Sequence, residues 1–151
     1  MLRWLWLAAA VAALDQAAKL AAESWIAPRA PIEVLPFLNL VLTYNTGAAF
    51  SFLAGAGGWQ RWLFLALALG VSAGLAWWLA RLPRTARLEA ASAALIVGGA
   101  LGNAIDRIAR PGVADFIDLH CCGWHWPAFN LADSALTLGV AGLLWATWRR
   151  G

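Results

Sequence analysis

Charge is scarce in this chain. Asp, Glu, Lys and Arg make up 13% of the 151 residues, while 62% are hydrophobic. A water-soluble domain is nearer half apolar and about a quarter charged, and a core of this size could not bury so much apolar side chain. Mean hydropathy is +0.67. Cysteine is almost missing, and the two present, Cys121 and Cys122, are neighbours. A disulfide between adjacent residues is strained, so the pair is no structural staple. There is no glycine-rich phosphate loop of the GxxxxGK type. Ser51, Ser72, Ser92 and Ser134 have no histidine partner on the same face, which leaves serine nucleophilic catalysis without its base. Internal repeats and low-complexity segments are absent, apart from alanine-rich runs. These absences exclude a disordered chain, a collagen, a disulfide scaffold and a soluble globular enzyme. A small polytopic membrane protein remains.

Four apolar runs are long enough to cross a bilayer, which takes about 20 residues. They cover roughly 2–22, 59–82, 88–108 and 131–148. Hydrocarbon offers no water to unpaired backbone groups, so each run is expected to be a helix. A cleaved signal peptide is the competing reading of the first run, with Arg3 as its basic end and 4–14 as its apolar centre. Asp15 and Lys19 stand where a small-residue cleavage site would have to form.

The net charge of +3 and a pI near 9.5 can suggest nucleic acid, but here the arginines bracket apolar runs. Arg3, Arg81, Arg84, Arg87, Arg149 and Arg150 fall on one side of a four-helix topology, six of the eleven basic residues. The other side carries Glu23, Arg29, Glu33, Arg107, Arg110, Asp115 and Asp118, a mixed and slightly acidic set. The positive-inside rule then places both termini in the cytoplasm and the loops 23–58 and 109–130 outside. Tryptophans gather at both levels: Trp25, Trp59, Trp62, Trp124 and Trp126 near the outer boundary, Trp4, Trp6, Trp77, Trp78, Trp145 and Trp148 near the inner one. Within the first outer loop, 32–35 and 38–44 are short β-type stretches broken at Pro36. Asn45-Thr46-Gly47 is a turn signal. This predicts a small sheet resting on the outer membrane surface.

Depth sorts the eight acidic residues. Glu23, Glu33 and Glu89 lie in loops or at helix ends. Asp15 lies in the outer half of the first helix, Asp106 at the outer end of the third and Asp133 at the outer start of the fourth. Asp115 and Asp118 lie in the loop between the last two. Antiparallel topology brings all five aspartates to one stratum near the outer boundary. An aspartate costs about 2.5–3.5 kcal/mol at the centre of a membrane helix and less towards its ends. Such a cluster is expected to face the bundle interior or a wet cavity and to mark a functional site.

Structural readings stand beside the functional one. Asp15 and Lys19 are i, i+4 in the favourable order and can be a plain ion pair. Asn103, Asp106 and Arg107 share a helix face and can brace the helix end; Gly98 and Gly102 allow close helix approach. Asn130 can cap the fourth helix, with Asp133 in its first turn. Asp115 is harder to explain in this way, being set among Val113, Phe116 and Ile117. A carboxylate among apolar groups has a raised pKa. Two such groups that meet can share a proton, one acting as base towards water and the other as acid towards the scissile carbonyl and leaving amine. The run His120-Cys121-Cys122 with His125 fits none of the common zinc spacings, so no metal is expected. The rival readings are a small transporter, whose buried acids would usually sit near the midplane, and a non-catalytic scaffold built on close helix packing.

Five motifs in order along the chain resemble those of the lipoprotein signal peptidase (signal peptidase II) family: DQAAK at 15–19, YNTGAAFSFL at 44–53, GGALGNAIDR at 98–107, VADFID at 113–118 and HWPAFNLADSA at 125–135. Nearly the whole chain is covered. The resemblance implies an all-α membrane protein of four transmembrane helices with a small β-sheet cradle on the outer (periplasmic) face, the cradle at about 30–57, in one domain over 1–151. It implies an aspartic endopeptidase of the bacterial cytoplasmic (inner) membrane, with its site near the periplasmic leaflet. That enzyme removes the signal peptide from diacylglyceryl-modified prolipoproteins, cleaving just before the lipidated cysteine. Asp115 and Asp133 match the dyad, and Asp118 is its near neighbour. Asp15, Lys19, Asn45, Gly47, Asn103, Asp106, Arg107 and Asn130 match supporting or substrate-binding positions. The implied partners are the prolipoprotein substrate and membrane lipid, with a monomeric enzyme and no cofactor, metal or nucleic acid. The paired cysteines at 121 and 122 depart from the pattern.

Overall fold

A computed structural model describes residues 1–27, 31–47, 53 and 55–149. A short 3₁₀ turn at Leu2–Trp4 leads into helix α1, Leu5–Trp25. Strands β1, Ile32–Leu35, and β2, Leu38–Asn45, follow. Helices α2, Trp59–Arg81, and α3, Arg87–Ala109, come next. Strands β3, Val113–Cys121, and β4, Trp124–His125, precede helix α4, Leu131–Trp148. All four helices are long and apolar enough to cross a membrane. Parts of the expected cradle, 30, 48–52 and 54, lie outside the described residues, as do Arg29 and Arg150.

Helix α3 is the centre of the bundle. It is the richest of the four in small residues, and 72% of its apolar window is buried, against 11% for α2. Small side chains let backbones approach closely, which is how helices associate without a hydrophobic driving force. A Cβ at Gly99 would stand 2.5 Å from the Ala132 carbonyl of α4, and one at Gly102 would stand 2.7 Å from Oδ2 of Asp15 on α1. Close contact thus brings the halves of α1, α3 and α4 nearest the sheet together around their polar residues. Helix α2 packs on α3 and leaves Leu67, Leu69 and Val71 exposed.

The structure corrects the reading of 109–130 as a loop. Val113–Cys121 is a strand, and the sheet runs β1-β2-β3-β4 with antiparallel pairing throughout. The register places Thr43 opposite Asp115, and Asn39 opposite Asp118. The reason is packing. Ala22 and Ile26 at the end of α1 join Phe116 in a buried cluster, which Leu40, Leu42 and Ile117 complete. The sheet therefore caps the C-terminal end of α1, and Val113 to Phe116 are buried on both faces. A strand covered on both sides does not alternate in polarity, so the sequence hid it.

Candidate active site

The site is built outward from Lys19, whose side chain is fully buried. Its Nζ lies 2.8 Å from Oδ2 of Asp15 and 2.7 Å from Oδ2 of Asp106, and donates to Oδ1 of Asn103 at 3.0 Å. Three donors meet three acceptors, so the ammonium is satisfied without water. The i, i+4 pair read from the sequence exists, but it is one arm of a three-way junction between α1 and α3. Oδ1 of Asp15 accepts the backbone N–H of Ala132 in the first turn of α4, 2.9 Å away. That N–H has no partner within its own helix. Oδ2 of Asp106 accepts the N–H of Ala114 at 3.0 Å, which fixes the start of β3. One buried cation thus ties α1, α3, α4 and β3 into a frame.

Asn103 passes this frame to the carboxylates. Its Nδ2 donates to Oδ1 of Asp133 at 2.8 Å, while its Oδ1 takes both Lys19 and Nδ2 of Asn130. Asn130 is the N-cap of α4. Its Oδ1 accepts the N–H of Asp133 at 2.9 Å, and Oδ2 of Asp133 accepts the N–H of Asn130 at 3.3 Å, a capping box. The same Asn130 side chain donates from Nδ2 to Oδ1 of Asp115 at 2.7 Å. Capping, expected from the sequence, and contact with Asp115 are therefore two uses of one side chain. Asn45 at the end of β2 hydrogen-bonds Asp115 from the other side and turns the chain through its Oδ1, which accepts the N–H of Gly47 at 2.9 Å. That is an Asx turn.

Burial pushes the Asp115 carboxyl up to about 7, and the nearby charge of Asp133 adds to the shift; the hydrogen bonds of Asn130 and Asn45 work against it. Asp118 behaves in the opposite way. Residues three apart on a strand face opposite sides. Asp118 accepts from Nδ2 of Asn39 at 3.0 Å and lies 2.9 Å from Nδ1 of His125. Burial works upward on it, but those two partners outweigh burial and hold its carboxyl below the usual range. Asp115, and not Asp118, is the carboxyl poised to keep a proton near neutral pH.

Asp115 and Asp133 both line a cavity of about 1190 Å³ between α2, α3, α4 and the sheet. Asn45, Gly47, Asn103 and Arg107 share its wall. Much of the rest is apolar, from Phe64 and Leu67 of α2 to Leu136 and Leu138 of α4. Leu67 and Leu138 are exposed, so the cavity opens sideways between two helices. Arg107 donates to the carbonyls of Gly47 at 3.0 Å and Asn103 at 3.2 Å and stacks over Phe64. It does not pair with Asp106, as bracing of the helix end by neighbours would require. Of the sequence-selected residues, Asp15, Lys19 and Asp106 form the frame, Asn45, Gly47, Asn103, Arg107, Asp115 and Asp133 line the cavity, and Asn130 is buried behind the two carboxyls.

The sequence reading missed Gln16, Glu23 and Arg110. Nη1 of Arg110 meets Oδ1 of Asp106 and Oε1 of Gln16, both at 2.8 Å. Its Nε and Nη2 clasp Glu23 at 2.7 and 3.1 Å. Nε2 of Gln16 donates to Asp106 at 2.8 Å. Glu23 also accepts from the Tyr44 hydroxyl at 2.8 Å. A signal existed: Asp15, Lys19 and Glu23 recur at four-residue spacing, as do Asp106 and Arg110, and i, i+4 residues share a helix face. Among the described residues, no three His, Cys, Asp or Glu side chains gather in a way that could hold a metal ion.

Two solved bacterial membrane enzymes, both determined by the in meso method, superpose on this fold. One, at 2.3 Å resolution, gives a TM-score of 0.83 at 30% identity, covering 97% of this chain and 88% of its own. The other, at 1.9 Å, gives 0.80 at 31% identity over 96% and 92%. With its four apolar helices, the chain is a multi-pass membrane protein. Its sequence matches the signal peptidase (SPase) II family model over residues 7–149. The lipoprotein signal peptidase of Paraburkholderia phymatum is 50% identical over 147 residues, 97% of this chain and 88% of that protein. That of Alteromonas mediterranea is 45% identical over 150 residues, 99% and 82%. The chain belongs to the signal peptidase II family, a family of peptidases.

Proposed function

We propose that the protein is an aspartic endopeptidase that removes the signal peptide from diacylglyceryl-modified prolipoproteins, cutting just before the lipidated cysteine. The observation that carries this reading is that Asp115 and Asp133 line one largely apolar cavity and are both held by Asn130, with the Asp115 carboxyl raised to about 7. In the mechanism the two carboxyls share one proton. The ionised one takes a proton from water as the water oxygen attacks the scissile carbonyl carbon. The protonated one hydrogen-bonds the carbonyl oxygen and then gives its proton to the leaving amine as the C–N bond breaks. Asn130, Asn103 and Asn45 aim the carboxyls. The Lys19 junction with Asp15 and Asp106 fixes Asn103 and the first turn of α4. Asn45, Gly47 and Arg107 face the substrate backbone and the polar part of the lipid.

The sideways opening suits such a substrate. Acyl chains can stay in the bilayer while the bond beside the modified cysteine reaches the carboxyls. In this reading the site lies at the outer leaflet of the bacterial inner membrane, with both termini cytoplasmic and the sheet outside. The enzyme works as a monomer, with membrane lipid and prolipoprotein as partners and without metal or cofactor. The test uses purified protein in lipid with a diacylglyceryl prolipoprotein. Cleavage is expected in the presence of chelators. Asp115→Asn and Asp133→Asn should each abolish it while the helical circular dichroism stays unchanged. Normal turnover by either variant overturns the assignment.

A further inference from the structure

We propose that Cys121 and Cys122 are a redox-active vicinal dithiol, closed to a disulfide by exchange with a disulfide-bearing oxidant on the outer side of the membrane. This modification site is separate from the carboxylate centre. The pair's chemistry stands on its own geometry, while the side from which the oxidant comes rests on the orientation proposed above.

These are the only cysteines in the sequence. Both are exposed, and their sulfurs lie 2.7 Å apart. They sit at the turn of the β3–β4 hairpin, where Cys121 pairs with Trp124. The central residues, Cys122 and Gly123, have φ of +58° and +80°. Turns with two positive φ values favour Asn-Gly or Asp-Gly, and a cysteine pays a steric penalty in that conformation. The turn requires that conformation, and it presents Cys122 to solvent beside Cys121. A Cβ built on Gly123 would meet nothing within 4 Å, so the turn can readjust without disturbing packed groups.

Adjacency also decides what kind of disulfide this is. Ordinary disulfides join Cα atoms roughly 4.4–6.8 Å apart, whereas neighbours across a trans peptide are held at about 3.8 Å. Strained, exposed disulfides have more oxidising potentials and are the labile ones. The site is therefore reversible rather than a staple. In the exchange, one cysteine thiolate attacks a sulfur of the oxidant's disulfide, forms a mixed disulfide and releases one oxidant thiolate. The second cysteine thiolate attacks the first cysteine's sulfur, closes the pair and releases the other oxidant thiolate. Two electrons pass to the oxidant, and the protons of the two thiols leave with them. The hairpin carries Leu119 and Trp126 to the cavity wall, so the modification lies at the edge of the site without touching Asp115 or Asp133.

Reduced full-length protein, freed of reductant, is incubated with oxidised glutathione and then alkylated with N-ethylmaleimide. The expected result is a monomer lighter by two hydrogens, with both alkylation sites lost together and restored by dithiothreitol. The single variants C121S and C122S should instead hold glutathione as a mixed disulfide. Wild-type protein that stays fully alkylatable, accumulates the mixed disulfide or links into dimers overturns the proposal. A membrane-impermeant maleimide on intact cells reads the side, with labelling expected only after reduction. Labelling without reduction overturns oxidation in the cell. If only a permeant maleimide labels, the outer oxidant and the orientation fail, while the glutathione result still decides the dithiol.

Discussion

Nδ2 of Asn130 stands 2.7 Å from Oδ1 of Asp115, although the two residues come from different elements, the cap of α4 and the middle of a strand. The same side chain accepts the N–H of Asp133 at 2.9 Å. One carboxamide therefore sets the relation between the two carboxyls, and its two roles can be separated. Asn130→Ser keeps a cap but loses the donor to Asp115. Caps of this kind are nearly equivalent, so the helix start is kept, while the buried oxygens of Asp115 and Asn103 that lose this donor lower stability by about 1–3 kcal/mol. Loss of this buried hydrogen bond from the reacting carboxyl, at about 1–3 kcal/mol, corresponds to roughly a fivefold to hundredfold loss in rate. Thermal unfolding and cleavage rates measured on the same preparation check this. Cleavage at the wild-type rate by this cap-keeping variant would make Asn130 a cap and nothing more.

Lys19→Met removes the cation and keeps the length. Asp15 and Asp106 would then be buried without their shared partner. Breaking a buried ion pair by removing one member costs about 3–5 kcal/mol. A fall of that size in unfolding free energy in detergent or lipid is expected, together with loss of cleavage through Asn103. Unfolding indistinguishable from wild type would mean the junction holds nothing together.

Glycine substitutions on α2 and α3 should rank by what they meet. Gly99→Ala drives a methyl against a backbone carbonyl at 2.5 Å, which cannot swing away. Overpacking of this kind costs about 1–3 kcal/mol. Gly70→Ala on α2 meets nothing within 4 Å and should raise stability by at most about 1 kcal/mol. Comparative unfolding of the two variants tests whether α3 is the close-packed centre; the reverse order would contradict that.

The raised Asp115 carboxyl carries a signed pH dependence. The unfolded chain releases this proton near the ordinary aspartate value of 3.8, whereas the folded protein keeps it up to about 7. Between those values the folded state binds more protons, so this group's contribution to stability falls as pH rises and flattens above about 7. Asp115→Asn should remove that slope. Unfolding midpoints of wild type and variant across this window give the comparison. Parallel curves would show that Asp115 titrates normally.

Much of this architecture is legible in the sequence, for physical reasons. Helices that face lipid must be continuous apolar runs, so α1 to α4 announce themselves. Depth alone brings Asp15, Asp106 and Asp133 together. Strand β3 does not announce itself. Its first residues are covered on both faces and two of its side chains are carboxylates, so VADFID has neither the alternation of a half-buried strand nor the pure apolar run of a buried one. The choice between Asp115 and Asp118 needs the register that puts Asn39 and His125 beside the latter. Arg110 reads as a loop charge until Glu23, 87 residues away, is seen in its grip.

Infrared spectroscopy of the purified protein, titrated in lipid, asks the central question most directly. A protonated carboxyl absorbs as an acid carbonyl and an ionised one does not. The account predicts one protonated carboxyl that persists well above the usual aspartate range, is lost near pH 7 and is missing in Asp115→Asn. A spectrum in which every carboxyl is already ionised by pH 5 would contradict it.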